Sequence, residues 1–279
     1  MTDSLYPWQT SDWQRWQQMR ERLPHAILIH GPNGIGKVAF AEHAARSLLC
    51  EKPSVEGPAC GTCASCGWFE QYSHPDYRRV RPEVLDADDE DDASGDSEDT
   101  TTKKTATSKT PSRDIRIEQI RSLASFMNVS THRAGRRLIL LYPAEALNAP
   151  SANALLKTLE EPPPDTVFLL VSHRIDRLLP TILSRCRQFA MAPPDQASSL
   201  AWLSSQGCDD APRWLAEQGG APIAALEPWN EHLANFGSEV VAGRLTLINE
   251  IEPLFQSSYK NLSEKKEASL GYKSSIPSP

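Results

Sequence analysis

Short unbroken apolar runs alternate along this chain with longer stretches in which apolar residues recur every three or four positions. Ala26-Ile27-Leu28-Ile29-His30, Leu138-Ile139-Leu140-Leu141-Tyr142 and the run from Val167 to Val171 show no polar alternation. Runs of this kind predict strands covered on both faces of a parallel sheet. Gln188-Phe189-Ala190 predicts a closing strand. Between the runs a helical period returns. Phe40, Ala41, Ala44, Ala45, Leu48 and Leu49 share one face of a helix from about Lys37 to Cys50. Ile115, Ile117, Ile120, Leu123 and Phe126 or Met127 mark a second helix. Leu155, Leu156 and Leu159 mark a third over residues 150–161, which Pro162-Pro163-Pro164 ends. An earlier helix, capped by Ser11 or Asp12 and running to about Arg22, carries Trp13, Trp16 and Met19 or Arg20 at helical spacing, with core packing as the tryptophans' expected role. Arg177 to Cys186 reads as another short helix. Strands alternating with helices predict a three-layer α/β domain with a mostly parallel sheet over residues 1–192. Pro193-Pro194 marks its end, and helical patterns follow at 195–206, 211–218 and near 233–255, then a polar tail.

Composition changes this picture in one place. Residues 86–99 hold nine carboxylates and no Lys or Arg; the other 27 acidic residues face 29 basic ones, so the net charge of −7 belongs to a single block. With the Thr-, Ser- and Lys-rich stretch that follows, residues 86–112 bury too little apolar surface to offset their ordering entropy, and a disordered excursion from the first domain is expected. The near-neutral remainder lacks the basic excess of a stand-alone nucleic-acid binder. No apolar stretch reaches the roughly 18 residues a membrane span needs, and Met1-Thr2-Asp3-Ser4-Leu5 does not resemble a secretory signal. A cytoplasmic location is expected.

Four motifs carry chemistry. Gly31-Pro32-Asn33-Gly34-Ile35-Gly36-Lys37-Val38 lies between a buried strand and a helix start, where the backbone N–H groups of a phosphate loop converge on an anion and Lys37 would reach the terminal phosphates. The residue after the lysine ordinarily supplies a hydroxyl to Mg²⁺; Val38 has no ligand atom. Nucleotide binding is left open, and no Mg²⁺ site is expected. Phosphate-loop ATPases also end a neighbouring strand in carboxylates that hold metal and orient water. Here Tyr142-Pro143 stands in those places, and Glu145 falls two residues beyond. Cys50, Cys60, Cys63 and Cys66 lie within 17 residues; in a reducing compartment four thiolates suit a closed structural zinc site, with free thiols or an iron–sulfur cluster as alternatives. An iron–sulfur run of the bacterial ferredoxin type needs a further Cys-Pro that is absent after Cys66. Cys186 and Cys208 stand alone. Ser184-Arg185-Cys186 follows Pro180-Thr181-Ile182-Leu183.

Together these residues resemble the bacterial clamp-loader family of DNA polymerase III, an AAA+ group. Asn153-Ala154-Leu155-Leu156-Lys157-Thr158-Leu159-Glu160-Glu161-Pro162-Pro163 is similar to the helix after the acidic strand in that family, and Pro180 to Cys186 to its Ser-Arg-Cys motif. The four-cysteine insertion fits as well, forming a zinc module over about 50–80. The likeness covers about residues 23–192, apart from 86–112. It implies an AAA+ domain over 1–192, a small helical lid over 193–232 and, in 233–279, a short helical collar and tail. Val38 and Tyr142-Pro143 resemble the family's non-hydrolysing subunit, with Gly31, Gly34, Gly36 and Lys37 as a degenerate nucleotide site and Ser172 at a sensing position. The resemblance further implies that Arg185 acts in trans on a neighbour's nucleotide, in a hetero-oligomeric ring that loads a sliding clamp onto primer-template DNA. Intrinsic ATPase and polymerase activity are not expected; a nucleotidyltransferase label would describe the holoenzyme. An active ATPase motor subunit and a zinc-dependent nucleic-acid-binding module are the competing readings.

Overall fold

The computed structural model describes residues 5–54, 57–86, 111–129, 131–132, 135–228, 230, 244, 246–248 and 250–253. Most of the acidic segment and much of the helical pattern near 233–255 therefore lie outside the described residues. The chain divides into a unit spanning Met1–Ala224 and a second spanning Ala225–Pro279. In the second, the described residues between 244 and 253 are helical.

Five parallel strands form the sheet of the first unit: β1 (Ala26–His30), β2 (Tyr77–Val80), β3 (Arg137–Leu141), β4 (Thr166–Ser172) and β5 (Arg187–Ala190), in the order β2-β3-β4-β1-β5. Successive side chains of a strand point to opposite faces, which explains the unbroken apolar runs. Ile27, Ile29, Leu138, Leu140, Leu169 and Val171 enter one buried cluster, while Ala26, Leu28, Ile139, Leu141, Phe168 and Leu170 enter the other. Helices α1 (Thr10–Arg20) and α2 (Lys37–Leu49) cover the first face through Trp13, Trp16, Phe40, Ala44 and Leu48. A short helix, α3 (Ala64–Glu70), follows α2 and sends Phe69 into the same cluster. Helices α4 (Ile117–Asn128) and α5 (Ala149–Glu160) cover the second face through Ile120, Leu123, Leu155 and Leu159. The result is the three-layer phosphate-loop architecture expected of the chain.

Three local expectations change. β2 is an added edge strand within the stretch assigned to the cysteine module; Arg78 and Arg79 interrupt its apolar pattern, because an edge strand needs cover on fewer sides. Helix α1 begins at Thr10 after a 3-10 turn at Pro7–Gln9, so neither Ser11 nor Asp12 caps it, and the Asp12 carboxylate pairs with Arg15 at 2.9 Å. The segment 177–186 is not one helix. A 3-10 turn at Ile175–Arg177 gives way to extended Leu178 and Leu179 before α6 (Pro180–Leu183), as Pro180 disfavours a helical residue before it while suiting the first helical position. Helices α7 (Gln196–Ser205), capped by Asp195, and α8 (Ala211–Glu217) follow the sheet.

Candidate functional site

The phosphate loop joins β1 to α2 at the carboxyl ends of the strands. Gly36 has φ +83 and forms the N-cap of α2, a left-handed conformation that glycine adopts freely. Gly31 lies so close to the end of β5 that a Cβ there would stand 2.4 Å from the Met191 carbonyl oxygen. Lys37, 2% exposed, turns back and donates from Nζ to the Pro32 carbonyl oxygen. Burial lowers its pKa to about 8, against the opposing pull of the Glu145 charge. Val38 packs against the apolar cluster on that face of the sheet.

The loop is covered by residues that the periodicity does not single out. Trp8 Nε1 donates to the Ile35 carbonyl at 3.0 Å, and Gln9 Nε2 donates to the carbonyls of Ile35 and Gly36 at 3.1 and 3.0 Å. Tyr6 stacks on Trp8 at 4.9 Å, and Trp202 of α7 meets both rings edge-on at 5.5 and 5.4 Å. A Cβ on Gly36 would stand 2.6 Å from the Tyr6 ring, and one on Gly34 2.5 Å from the Ala224 methyl. Ile223 donates its backbone N–H to the Gly34 carbonyl at 3.0 Å.

At the end of β3, Tyr142 and Pro143 supply no carboxylate. The Tyr142 hydroxyl accepts from Arg81 Nη1 at 3.3 Å. A 3-10 turn at Ala144–Ala146 then brings Glu145 back, so that its Oε1 accepts the His173 backbone N–H at 2.9 Å. Glu145 Oε2 and His173 Nδ1 are buried without a hydrogen bond among the described residues. Burial, then the Lys37 charge, holds the His173 imidazole below its usual pKa. Ser172 ends β4 opposite His30, and its hydroxyl accepts the Arg174 backbone N–H at 3.1 Å.

The thiols of Cys50, Cys60, Cys63 and Cys66 lie within 4.8 Å of one another, with Cys50 and Cys63 at 3.9 Å. A tetrahedron with Zn–S of about 2.3 Å has edges near 3.8 Å, so the four sulfurs fit one ion with no open position. Their surroundings differ: burial raises the Cys50 thiol pKa and pushes that of Cys66 up to about 12, while Cys60 is held the other way. The Cys60 N–H donates to Cys50 Sγ at 3.3 Å, and the backbone and hydroxyl of Thr62 lower the Cys60 pKa to about 6. Cys63 is the N-cap of α3 and Cys66 lies in its first turn. Cys186 and Cys208 are buried outside this group, and burial raises the Cys186 thiol to about 11.

Arg185 lies just beyond α6, its side chain one-third exposed. Nη1 donates to the Thr181 carbonyl at 2.9 Å and to Ser184 Oγ at 3.3 Å, while Nη2 pairs with the Glu160 carboxylate at the end of α5. Nε makes no hydrogen bond among the described residues, so the guanidinium is anchored and still has a donor to offer.

A family model described as DNA polymerase III, delta subunit matches residues 8–195. The DNA polymerase III subunit delta' of Pseudomonas aeruginosa is 38% identical over 250 residues, covering 88% of this chain and 68% of that protein. The subunit of the same name from Escherichia coli is 31% identical over 226 residues, covering 79% and 60%. Among solved structures, a DNA polymerase III gamma subunit-related protein from Thermotoga maritima aligns with a TM-score of 0.45 and 19% identity, over 78% of this chain and 57% of that one. The chain spans roughly two thirds of the length of these curated relatives.

Proposed function

The chain belongs to the DNA polymerase III delta' family, and we propose that it serves the clamp loader as a subunit that does not hydrolyse ATP but supplies an arginine to a neighbour that does. The observation that carries this reading is the replacement of the hydrolytic groups around a preserved loop. Val38 is packed into the apolar cluster, and Tyr142 and Pro143 offer neither a metal ligand nor a base for water. Lys37 is turned onto a carbonyl of its own loop, and Trp8 and Gln9 hold the loop's carbonyl edge. Hydrolysis has no equipment here.

Arg185 is suited to act across an interface. A rigid, permanently charged fork stabilises charge developing on a transferring phosphoryl group, and its anchoring by Thr181 and Glu160 limits the ordering needed to use it. Gly31, Gly34, Gly36 and Lys37 form a degenerate nucleotide site in this reading. Cys50, Cys60, Cys63 and Cys66 would hold a structural zinc ion, which when bound cross-links the chain after α2 to α3. The proposed organisation is an AAA+ domain over 1–192, a lid over 193–232 and a short collar and tail over 233–279. The proposed partners are the other clamp-loader subunits and, through them, the sliding clamp and primer-template DNA. No helix among the described residues is long and apolar enough to cross a membrane, and the work proposed is cytoplasmic. Reconstitution with the other loader subunits tests the reading: DNA-stimulated ATP hydrolysis and clamp loading should require this chain. Full activity without it would refute the proposal.

A further inference from the structure

His74 is fully buried in the connection between α3 and β2, and it lies outside the four-cysteine group. Its bonding fixes its tautomer. The Asp76 backbone N–H can only donate, and it donates to His74 Nδ1 at 3.0 Å; the ring proton therefore sits on Nε2. Nε2 lies 3.1 Å from Ser65 Oγ and donates to it. Ser65 is itself 1% exposed and sits in the first turn of α3, between Cys63 and Cys66. The relay continues the other way. The buried Asp76 carboxylate accepts the His132 backbone N–H at 3.0 Å with each oxygen, tying this turn to the connection between α4 and β3.

Helix α3 has seven residues and no side-chain cap at its N-terminus, and so short a helix does not hold itself in water. Cys66 lies within it and Cys63 immediately precedes it. The helix's position must come from contacts: Phe69 lies against Tyr77 with ring centroids 4.6 Å apart, Trp68 meets His74 edge-on at 6.0 Å, Glu70 pairs with Arg46 of α2, and the His74–Ser65 bond is a directional link in the turn that holds Cys66.

We propose that His74 is a positioning residue for the four-cysteine centre, fixing through Ser65 the turn of α3 that carries Cys63 and Cys66. This inference rests on the zinc reading of that centre. Groups outside the ligand set that orient ligands typically change metal affinity by about 10–100-fold when removed, whereas a histidine that only fills the core would leave metal retention alone.

The test uses the full chain loaded with zinc, following metal release to a colorimetric chelator. Ser65→Ala and His74→Phe each remove the bond, the second keeping a ring in the space. Each should speed release about tenfold, the lower end of that range, and the double variant should release no faster than the quicker single one. His74→Gln, which keeps a donor near the place of Nε2, should restore most of the retention. If His74→Phe does not fold, Ser65→Ala still decides. Release within twofold of the unaltered chain in Ser65→Ala, with the thermal midpoint lowered equally with and without zinc, makes the contact merely structural and overturns the proposal. An unaltered chain that neither carries nor takes up zinc overturns the metal reading itself, and this inference with it.

Discussion

Arg185→Ala separates catalytic from structural roles because the two predict different magnitudes. In the folded chain the guanidinium is one-third exposed, and its ion-pair partner Glu160 is about half exposed. An exposed pair of this kind is worth about 0.2–1 kcal/mol, and the charge-assisted hydrogen bond from the guanidinium to the Thr181 carbonyl, exposed to solvent, adds about 1.5 kcal/mol. No buried charge is orphaned by the change, since Glu160 remains solvated. Removing Arg185 should therefore lower stability by no more than about 2–3 kcal/mol and leave assembly intact. An arginine acting on a neighbour's γ-phosphate is worth about 10³–10⁵ in rate, or about 4–7 kcal/mol of barrier. Hydrolysis at the facing site should become negligible, while turnover of the whole loader falls only by the share of that site. Arg185→Lys should recover little, since a lysine cannot present a planar fork. The assay is ATP turnover and clamp loading by the reconstituted loader at saturating ATP, with assembly checked by gel filtration. Unchanged turnover in an assembled Arg185→Ala loader would refute the trans-acting role and return Arg185 to a local brace between α5 and α6.

Two further outcomes are expected. The isolated chain should release no phosphate from ATP above background, Lys37→Ala should change turnover of the reconstituted loader by less than about twofold, and Val38→Thr alone should not create hydrolysis; loss of loader turnover in Lys37→Ala would show that the loop works. Joining Leu85 to Arg113 should preserve folding and loader activity: Val84 donates its N–H to the Ser112 carbonyl at 3.2 Å and Ser112 N–H donates to Glu83 at 3.1 Å, so the ends to be joined lie close together, although the deletion removes Ser112 with those bonds and Asp86, which pairs with Arg81 at 2.6 Å. A deleted chain that fails to fold, judged by its thermal transition, would make the acidic segment structural.

The sequence was most legible where burial is symmetric. β1, β3 and β4 are covered on both faces, so their central side chains are apolar at successive positions, with His30, Arg137, Thr166 and Ser172 confined to strand ends, and they need no alternation to be recognised. β2 was hidden because Arg78 and Arg79 lie mid-strand; Arg78 stacks over Phe126 at 4.6 Å and Arg79 over Tyr72 at 3.8 Å, and such cover cannot be read from local spacing. The phosphate loop and the cysteines were legible because glycines before a helix and closely spaced thiols announce themselves within a few residues. Tyr6, Trp8, Gln9 and Trp202 were not, because the contacts that bring them over the loop and to one another across α7 join residues 26 or more apart in the chain. Glu145 stands two residues past the position where an ATPase would place a carboxylate, yet the turn after β3 returns it to the His173 N–H. Spacing alone does not reveal such a reversal.

On the proposed reading, the replaced residues also explain how the fold persists without hydrolysis. A glycine loop at a helix start gathers N–H groups and positive potential that ordinarily meet an anion. In this chain the Lys37 charge is opposed from inside by the Pro32 carbonyl and the field of Glu145, whose Oε1 accepts the His173 N–H just past β4. Val38 and Tyr142 add apolar surface to the cluster beneath the loop where metal ligands would have added charge needing compensation. Restoring a single hydroxyl at 38 would put a polar group against that cluster and still leave β3 without a carboxylate. Each replacement is thus tolerable because the others are present. On the proposed reading, the sheet still sets α5 and α6, and with them Arg185, in place for use by another chain.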